Sequence, residues 1–166
     1  MKQLFRNPKQ VGAFSQSSRV LARRIAEGIG NSTRIVELGA GTGVVTREIL
    51  KLLPDEGSLT SFEIDPSFCD CLEKIDDDRL AVINANAMQC ESYVREFDCI
   101  VSALPLALFT PAEISSIIEL AHRAGRYVQL QYVPMLTRKI QKRFTDVRLK
   151  FVPQNLPPAF VYVCDA

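Results

Sequence analysis

The run Ile35-Val36-Glu37-Leu38-Gly39-Ala40-Gly41-Thr42-Gly43 constrains this chain more than any other stretch. Its first residues read as a buried strand, its glycines as a turn, and Val44 as the restart of the chain in a helix. Three glycines within five residues carry an entropic cost that a plain connection would avoid. A loop of this kind lets a ligand lie against the main chain, with N–H groups of the helix start turned toward it. An acid beside the loop does not suit a bound phosphate. Glu37 therefore points to a cationic or hydroxyl-rich ligand.

What surrounds the loop is an ordinary globular sequence. The 166 residues suffice for one domain with a full core. A hydrophobic fraction of 47% with 23% charged residues excludes a disordered chain. No apolar run approaches the roughly 18–20 residues of a membrane-spanning helix, and no signal-peptide core stands at the start. Five scattered cysteines, with Cys69-Asp70-Cys71 lacking the two-residue spacer of zinc or redox pairs, read as reduced cytosolic thiols rather than a metal site. Charge is uneven. Residues 1–30 hold six bases and one acid, residues 126–150 seven bases and one acid, and residues 31–125 seven bases and sixteen acids. Basic ends around an acidic middle point to an anionic partner near the ends, with solvated helix faces as the plainer alternative.

Strand and helix signals alternate along the chain. Residues 15–29 read as an amphipathic helix with Phe14, Leu21, Ile25 and Ile29 near one face, capped by Ser15 or Ser17. Strands are expected over 33–38, 58–63, 80–84, 97–103 and 126–133. Helices are expected over 44–53, from Pro66, over 111–124 and near 135–144, and His122 reads as a solvated helix residue. The run Phe97–Ala103 is apolar on both faces, as in a central parallel strand. Strands over 147–152 and 159–164 are joined by a link too short for a crossover helix, so that pair is antiparallel. The fold class is α/β: a doubly wound, mostly parallel seven-stranded sheet with an antiparallel C-terminal hairpin. Ligands of such sheets sit at the carboxyl ends of the strands, near the switch in strand order. The turns at Glu37–Gly43, Glu63–Asp65, Asn84–Ala87 and Ser102–Leu106 should converge there.

With these residues in place, Glu37-Leu38-Gly39-Ala40-Gly41-Thr42-Gly43 resembles motif I of the class I S-adenosylmethionine-dependent methyltransferases. The second acid, Glu63, and the closing hairpin strengthen the resemblance. It implies S-adenosyl-L-methionine as cofactor, S-adenosyl-L-homocysteine as its product, and a Rossmann-like fold. The cofactor contacts it implies are Glu37, Gly39, Ala40, Gly41, Gly43, Glu63, Ile64, Asn86, Ala87 and Ser102. Glu63 resembles the acid that accepts both ribose hydroxyls. Asn86-Ala87 resembles the Asp-Ala pair that reads adenine, with Asn where the family often has Asp.

Further segments, Arg6–Phe14, Ser17-Ser18, Ser102–Leu106, Gln131-Tyr132-Val133-Pro134 and Asn155–Ala159, are together similar to bacterial phospholipid N-methyltransferases, relatives of the ribosomal RNA adenine dimethylases. That resemblance implies an aminophospholipid substrate such as phosphatidylethanolamine, and a cytoplasmic enzyme in peripheral contact with the anionic inner face of the cell membrane. The adenine dimethylases carry Asn-Leu-Pro-aromatic after the fourth strand, the ring stacking on a flipped base. Here the matching residues are Ala103-Leu104-Pro105-Leu106, and no appended helical domain follows, so a nucleic-acid acceptor is not expected.

Methyl transfer to an alkyl amine asks chiefly for positioning and the exclusion of water. Tyr132 is the candidate for contact with the amine, by its hydroxyl through water or by its ring through cation–π attraction; a tyrosine packed in the core is the alternative. Ser102 and the carbonyls of residues 102–104 are candidates to orient the amine lone pair. Asn155 is expected to reach the same pocket, or else to pack. Residues 1–14 form a separate amphipathic basic segment suited to a membrane surface, and residues 15–166 the methyltransferase domain. Two other functions stay open at this level: a soluble small-molecule N- or O-methyltransferase, and an RNA-associated S-adenosylmethionine-binding protein.

Overall fold

The computed structural model describes residues 18–134 and 137–166. Its strands are β1 Arg34–Leu38, β2 Ser58–Glu63, β3 Leu80–Asn84, β4 Cys99–Ser102, β5 Arg126–Gln131, β6 Asp146–Val152 and β7 Ala159–Asp165. They form one seven-stranded sheet in the order β3-β2-β1-β4-β5-β7-β6. Strands β1 to β5 pair in parallel. Strand β7 runs antiparallel between β5 and β6. The direction of growth reverses between β1 and β4, which is the switch expected to hold the ligand.

The helices are α1 Arg19–Ala26, α2 Val44–Leu52, α3 Pro66–Leu72, α4 Pro111–Ala124 and α5 Thr137–Gln141. They cover the sheet on both faces. On one face Leu21 and Ile25 of α1 and Ile49 of α2 are buried with Val101 of β4 and Val128 of β5. On the other, Ile117 and Ile118 of α4 and Ile140 of α5 are buried with Ile100 and Tyr127. Each side chain so buried is worth about 1.5–3 kcal/mol. Local signals set the boundaries. Thr110 and Glu113 form a reciprocal capping box ahead of Pro111, and Asp65 caps α3 just before Pro66.

Several expectations are corrected. The described first helix is capped by Ser18; Phe14, Ser15, Ser17 and the whole 1–14 segment lie outside the described residues. Strand β4 is shorter than the apolar run 97–103, because Ala103 and Leu104 already belong to the turn. Strand β5 ends at Gln131 rather than 133. Among the described residues the basic helix spans Thr137–Gln141, ending before the expected 144. His122 is half-buried and packs edge-on against Phe144, so it is not a solvated helix residue. Burial pushes the Cys99 and Cys164 thiols up to about 12, which leaves them inert packing groups. No helix among the described residues is long and apolar enough to cross a membrane.

Candidate functional site

The loop after β1 is built for close approach. Gly39, Gly41 and Gly43 have φ of 78°, 55° and 80°, in the left-handed region where only glycine is at ease. A side chain at Gly39 would come within 2.9 Å of Leu104 Cδ2, and one at Gly43 within 2.9 Å of Leu72 Cδ2. The loop is thus packed closely against Leu104 on one side and Leu72 on the other. Gly39 N and Ala40 N donate to Phe62 O at 2.9 and 3.2 Å, which ties the loop to the end of β2.

Glu63 completes that tie. Its Oε2 accepts from Gly41 N at 2.8 Å, and its Oε1 accepts from Ile64 N and Asp65 N at 2.8 and 2.9 Å. Asn84 Nδ2 then donates to Glu63 O at 3.0 Å and Ile64 O at 3.2 Å, joining the end of β3. Asn86 Oδ1 accepts from Met88 N at 3.0 Å and caps a 3₁₀ turn at Ala87–Ser92. With Leu104 against Gly39, all four turns meet at one end of the sheet.

Glu37 lies beneath the loop rather than on its surface. It is 1% exposed. Its Oε2 accepts from Thr46 Oγ1 at 2.7 Å and Ser61 Oγ at 2.6 Å, while Oε1 has no partner among the described residues. Burial raises its pKa to about 7; the two hydroxyl bonds oppose that rise, and the charge of Glu63 adds to it.

The turn after β4 is held by a buried polar row that the sequence reading missed. Tyr127 donates to Gln129 Oε1, and its hydroxyl also bonds Ser102. Gln129 Nε2 donates to Leu104 O at 3.2 Å, and Leu104 N donates to Ser102 Oγ at 3.4 Å. Both main-chain groups of Leu104 are therefore held from below, and Ser102 is turned into the core. The available signal was two glutamines alternating with aliphatic residues in a strand buried on both faces. Tyr132 and Asn155 are brought together: their side chains hydrogen-bond, and Asn155 Oδ1 also accepts from Ser18 N at 2.9 Å. Asn155 Nδ2 donates to Pro157 O at 2.7 Å. Burial raises the Tyr132 phenol and the Asn155 bond opposes that rise, so the hydroxyl is neutral at physiological pH. Exposed apolar side chains stand on loops at this end of the sheet: Leu108 after β4, Val133 after β5, and Leu156, 92% exposed, between β6 and β7.

Comparisons with known proteins agree with this architecture. The family model for ribosomal RNA adenine dimethylase matches residues 14–103. The ornithine lipid N-methyltransferase of Singulisphaera acidiphila is 29% identical over 180 residues, covering 96% of this chain and 91% of the relative. Among solved structures, a spermidine synthase bound to a transition-state analogue superposes with a TM-score of 0.72 at 17% identity, over 90% of this chain and 61% of that one. The precorrin-6y C5,15-methyltransferase of Geobacter metallireducens superposes with a TM-score of 0.70 at 14% identity, over 90% of this chain and 88% of its own. At such identities the structural matches speak for the fold alone. The glycine loop, the strand order and the family match together assign the chain to the ribosomal RNA adenine dimethylase family of class I S-adenosylmethionine-dependent methyltransferases.

Proposed function

We propose that this methyltransferase methylates the amine of a membrane lipid, an aminophospholipid such as phosphatidylethanolamine or a related aminolipid. One observation carries the reading: the turn after β4, Ala103-Leu104-Pro105-Leu106, offers neither a side-chain amide nor an aromatic ring, and Leu106 is fully buried. A flat base extruded into such a site would find nothing to stack on, whereas a flexible alkyl amine needs no platform. The lipid-amine activity named for the Singulisphaera relative supports the same choice.

The residues present fit S-adenosylmethionine. The Gly39–Gly43 main chain forms the cradle, with Ala40 in its wall. The unpartnered Oε1 of Glu37 suits a cationic ligand. Glu63 has one lone-pair site left after three N–H donors, so one of those donors must yield for both ribose hydroxyls to bind. Asn86 Oδ1 keeps a second lone pair for the adenine amine, with the Ala87 N–H and Ile64 beside it. The bound donor supplies a methyl on a sulfonium that needs no further activation. The protein's part is to hold the amine neutral, aligned and dry. The carbonyls of Ser102 and Ala103 are assigned that task; Leu104 O, which already accepts from Gln129 Nε2 and Leu106 N, fixes the turn that presents them. Tyr132, held by Asn155, offers a neutral hydroxyl or a ring face to the cationic product.

Contact with a membrane follows from the same end of the molecule. Exposed Val133 and Leu156 stand on the loops after β5 and before β7 at that end, and Arg138, Lys139 and Lys142 are exposed on and just after α5, which runs from there back along the sheet face to Phe144. Residues 1–14 form the basic amphipathic segment of this reading, ahead of a catalytic domain over 15–166. Co-sedimentation with phosphatidylglycerol-rich vesicles tests it. Binding should weaken with salt. Replacing Arg138, Lys139 and Lys142 together by alanine should lower vesicle affinity by about an order of magnitude or more. A chain that stays in the supernatant at low salt would contradict the membrane reading.

A further inference from the structure

Three buried polar atoms have no hydrogen-bond partner among the described residues: Glu37 Oε1, His122 Nδ1 and Gln131 Nε2. Glu37 belongs to the donor loop. His122 lies near the end of α4, toward the amino ends of the strands. Gln131 is the last residue of β5 and 6% exposed, and nothing described so far gives it a task. A buried N–H without an acceptor costs about 1–3 kcal/mol, and folded proteins keep few of them.

Its place explains what such a group is for. Ser102 of β4 stands opposite Gln129 of β5, so Gln131, two residues on, lies beside the Leu104 turn. Phe160 of β7 stands opposite Gln131 on the other side. Alternate residues of a strand share a face, so Tyr127, Gln129 and Gln131 form one row. Tyr127 and Gln129 satisfy each other and the Leu104 carbonyl. Only the outermost member, at the carboxyl end, is left with a free donor.

We infer that Gln131 is a specificity residue of the acceptor pocket, its carboxamide N–H donating to a phosphate or carbonyl oxygen of the substrate close to the reactive amine. The inference rests on the amine-methylation reading above. A donor aimed at the amine itself would tie up the lone pair that must face the methyl, so the matching atom is an oxygen beside it. An oxygen acceptor satisfies the buried N–H; a hydrocarbon chain leaves it unpaired. The pocket therefore selects amines with an oxygen acceptor a few bonds from nitrogen over plain alkylamines.

The test compares three amines carried in phosphatidylglycerol vesicles: phosphatidylethanolamine, a long-chain ester of β-alanine with a carbonyl and no phosphate, and octadecylamine with neither. The wild-type chain should favour at least one oxygen-bearing amine over octadecylamine by about 10- to 100-fold in kcat/KM, and the better of the two identifies the oxygen. Gln131→Met, close in shape and unable to donate, should lose that preference by slowing only the oxygen-bearing amine. Its affinity for S-adenosylhomocysteine should be unchanged, and its melting temperature equal or higher, since an unpaired buried donor has been removed. A variant that keeps the wild-type preference overturns the inference, as does one that melts several degrees lower or slows on all three amines alike. Transfer by the wild type to none of the three contradicts the lipid-amine reading itself, a result distinct from an unaltered preference.

Discussion

Glu37 and Glu63 stand 26 residues apart in sequence order and meet under one loop, yet their surroundings assign them different work. Glu63 is surrounded by N–H donors and Glu37 by two hydroxyls and apolar atoms. Glu63→Ala removes the acceptor of Gly41 N along with the proposed ribose contact. It should lower S-adenosylhomocysteine affinity at least about 100-fold by calorimetry, each charge-assisted bond being worth about 1.5–3 kcal/mol; unchanged affinity would contradict the assignment. For Glu37 the pKa raised from 4.5 to about 7 sets a pH dependence. The folded chain holds this proton more tightly than the unfolded one, so its contribution to stability is full below about pH 4.5 and is lost as pH rises through about 7. The loss is on the order of 3 kcal/mol. Glu37→Gln can accept from Thr46 and Ser61 without carrying charge. It should be no less stable than wild type at pH 5 and more stable at pH 8 in denaturant titrations. A gap that does not widen between those two pH values would refute the shift.

The elements follow their sequence signals where those signals are local. Pro66, Pro111 and Gly125 bound helices as the cap and breaker patterns require. The alternation over 159–164 gives β7 with one residue added. Other features depend on what a neighbour does. The 3₁₀ pieces at Ala87–Ser92 and Leu106–Leu108, of two turns and one, are too short for a periodic stripe. Strand β4 stops before its apolar run does because Leu104 turns away to meet Gly39 and Gln129. The donor loop was legible because glycine spacing records a backbone need within one segment. Gln131 was not, because its meaning comes from a partner it lacks in three dimensions. Gly28 illustrates the same limit: its sequence context reads only as a helix end, yet an added Cβ would sit 2.9 Å from both Val128 methyls. Gly28→Ala should therefore destabilise by about 1–3 kcal/mol through overpacking, and adding Val128→Ala should recover part of that loss. Thermal denaturation of the single and double variants checks it; additive losses would place the cause elsewhere.

Taken whole, the molecule puts its functional features on one end. The four turns converge at the carboxyl ends of β1 to β4, the buried row of β5 supports them from one side, and the exposed apolar Leu108, Val133 and Leu156 stand on loops around them. A seven-stranded sheet of this order serves many acceptors; membership of the methyltransferase family supplies the donor, and we place the acceptor at this end of the sheet. The acceptor is decided by a handful of side chains there. Family membership is shared with enzymes described as RNA adenine dimethylases, while the turn after β4 lacks the groups a base would need. The direct measurement is incubation of the purified chain with methyl-labelled S-adenosylmethionine and, in parallel, a total lipid extract and total RNA, with labelled products identified by mass. Label in an amine-bearing lipid, increased by one or more methyl units, is the predicted result. Label confined to adenine in RNA would contradict the account.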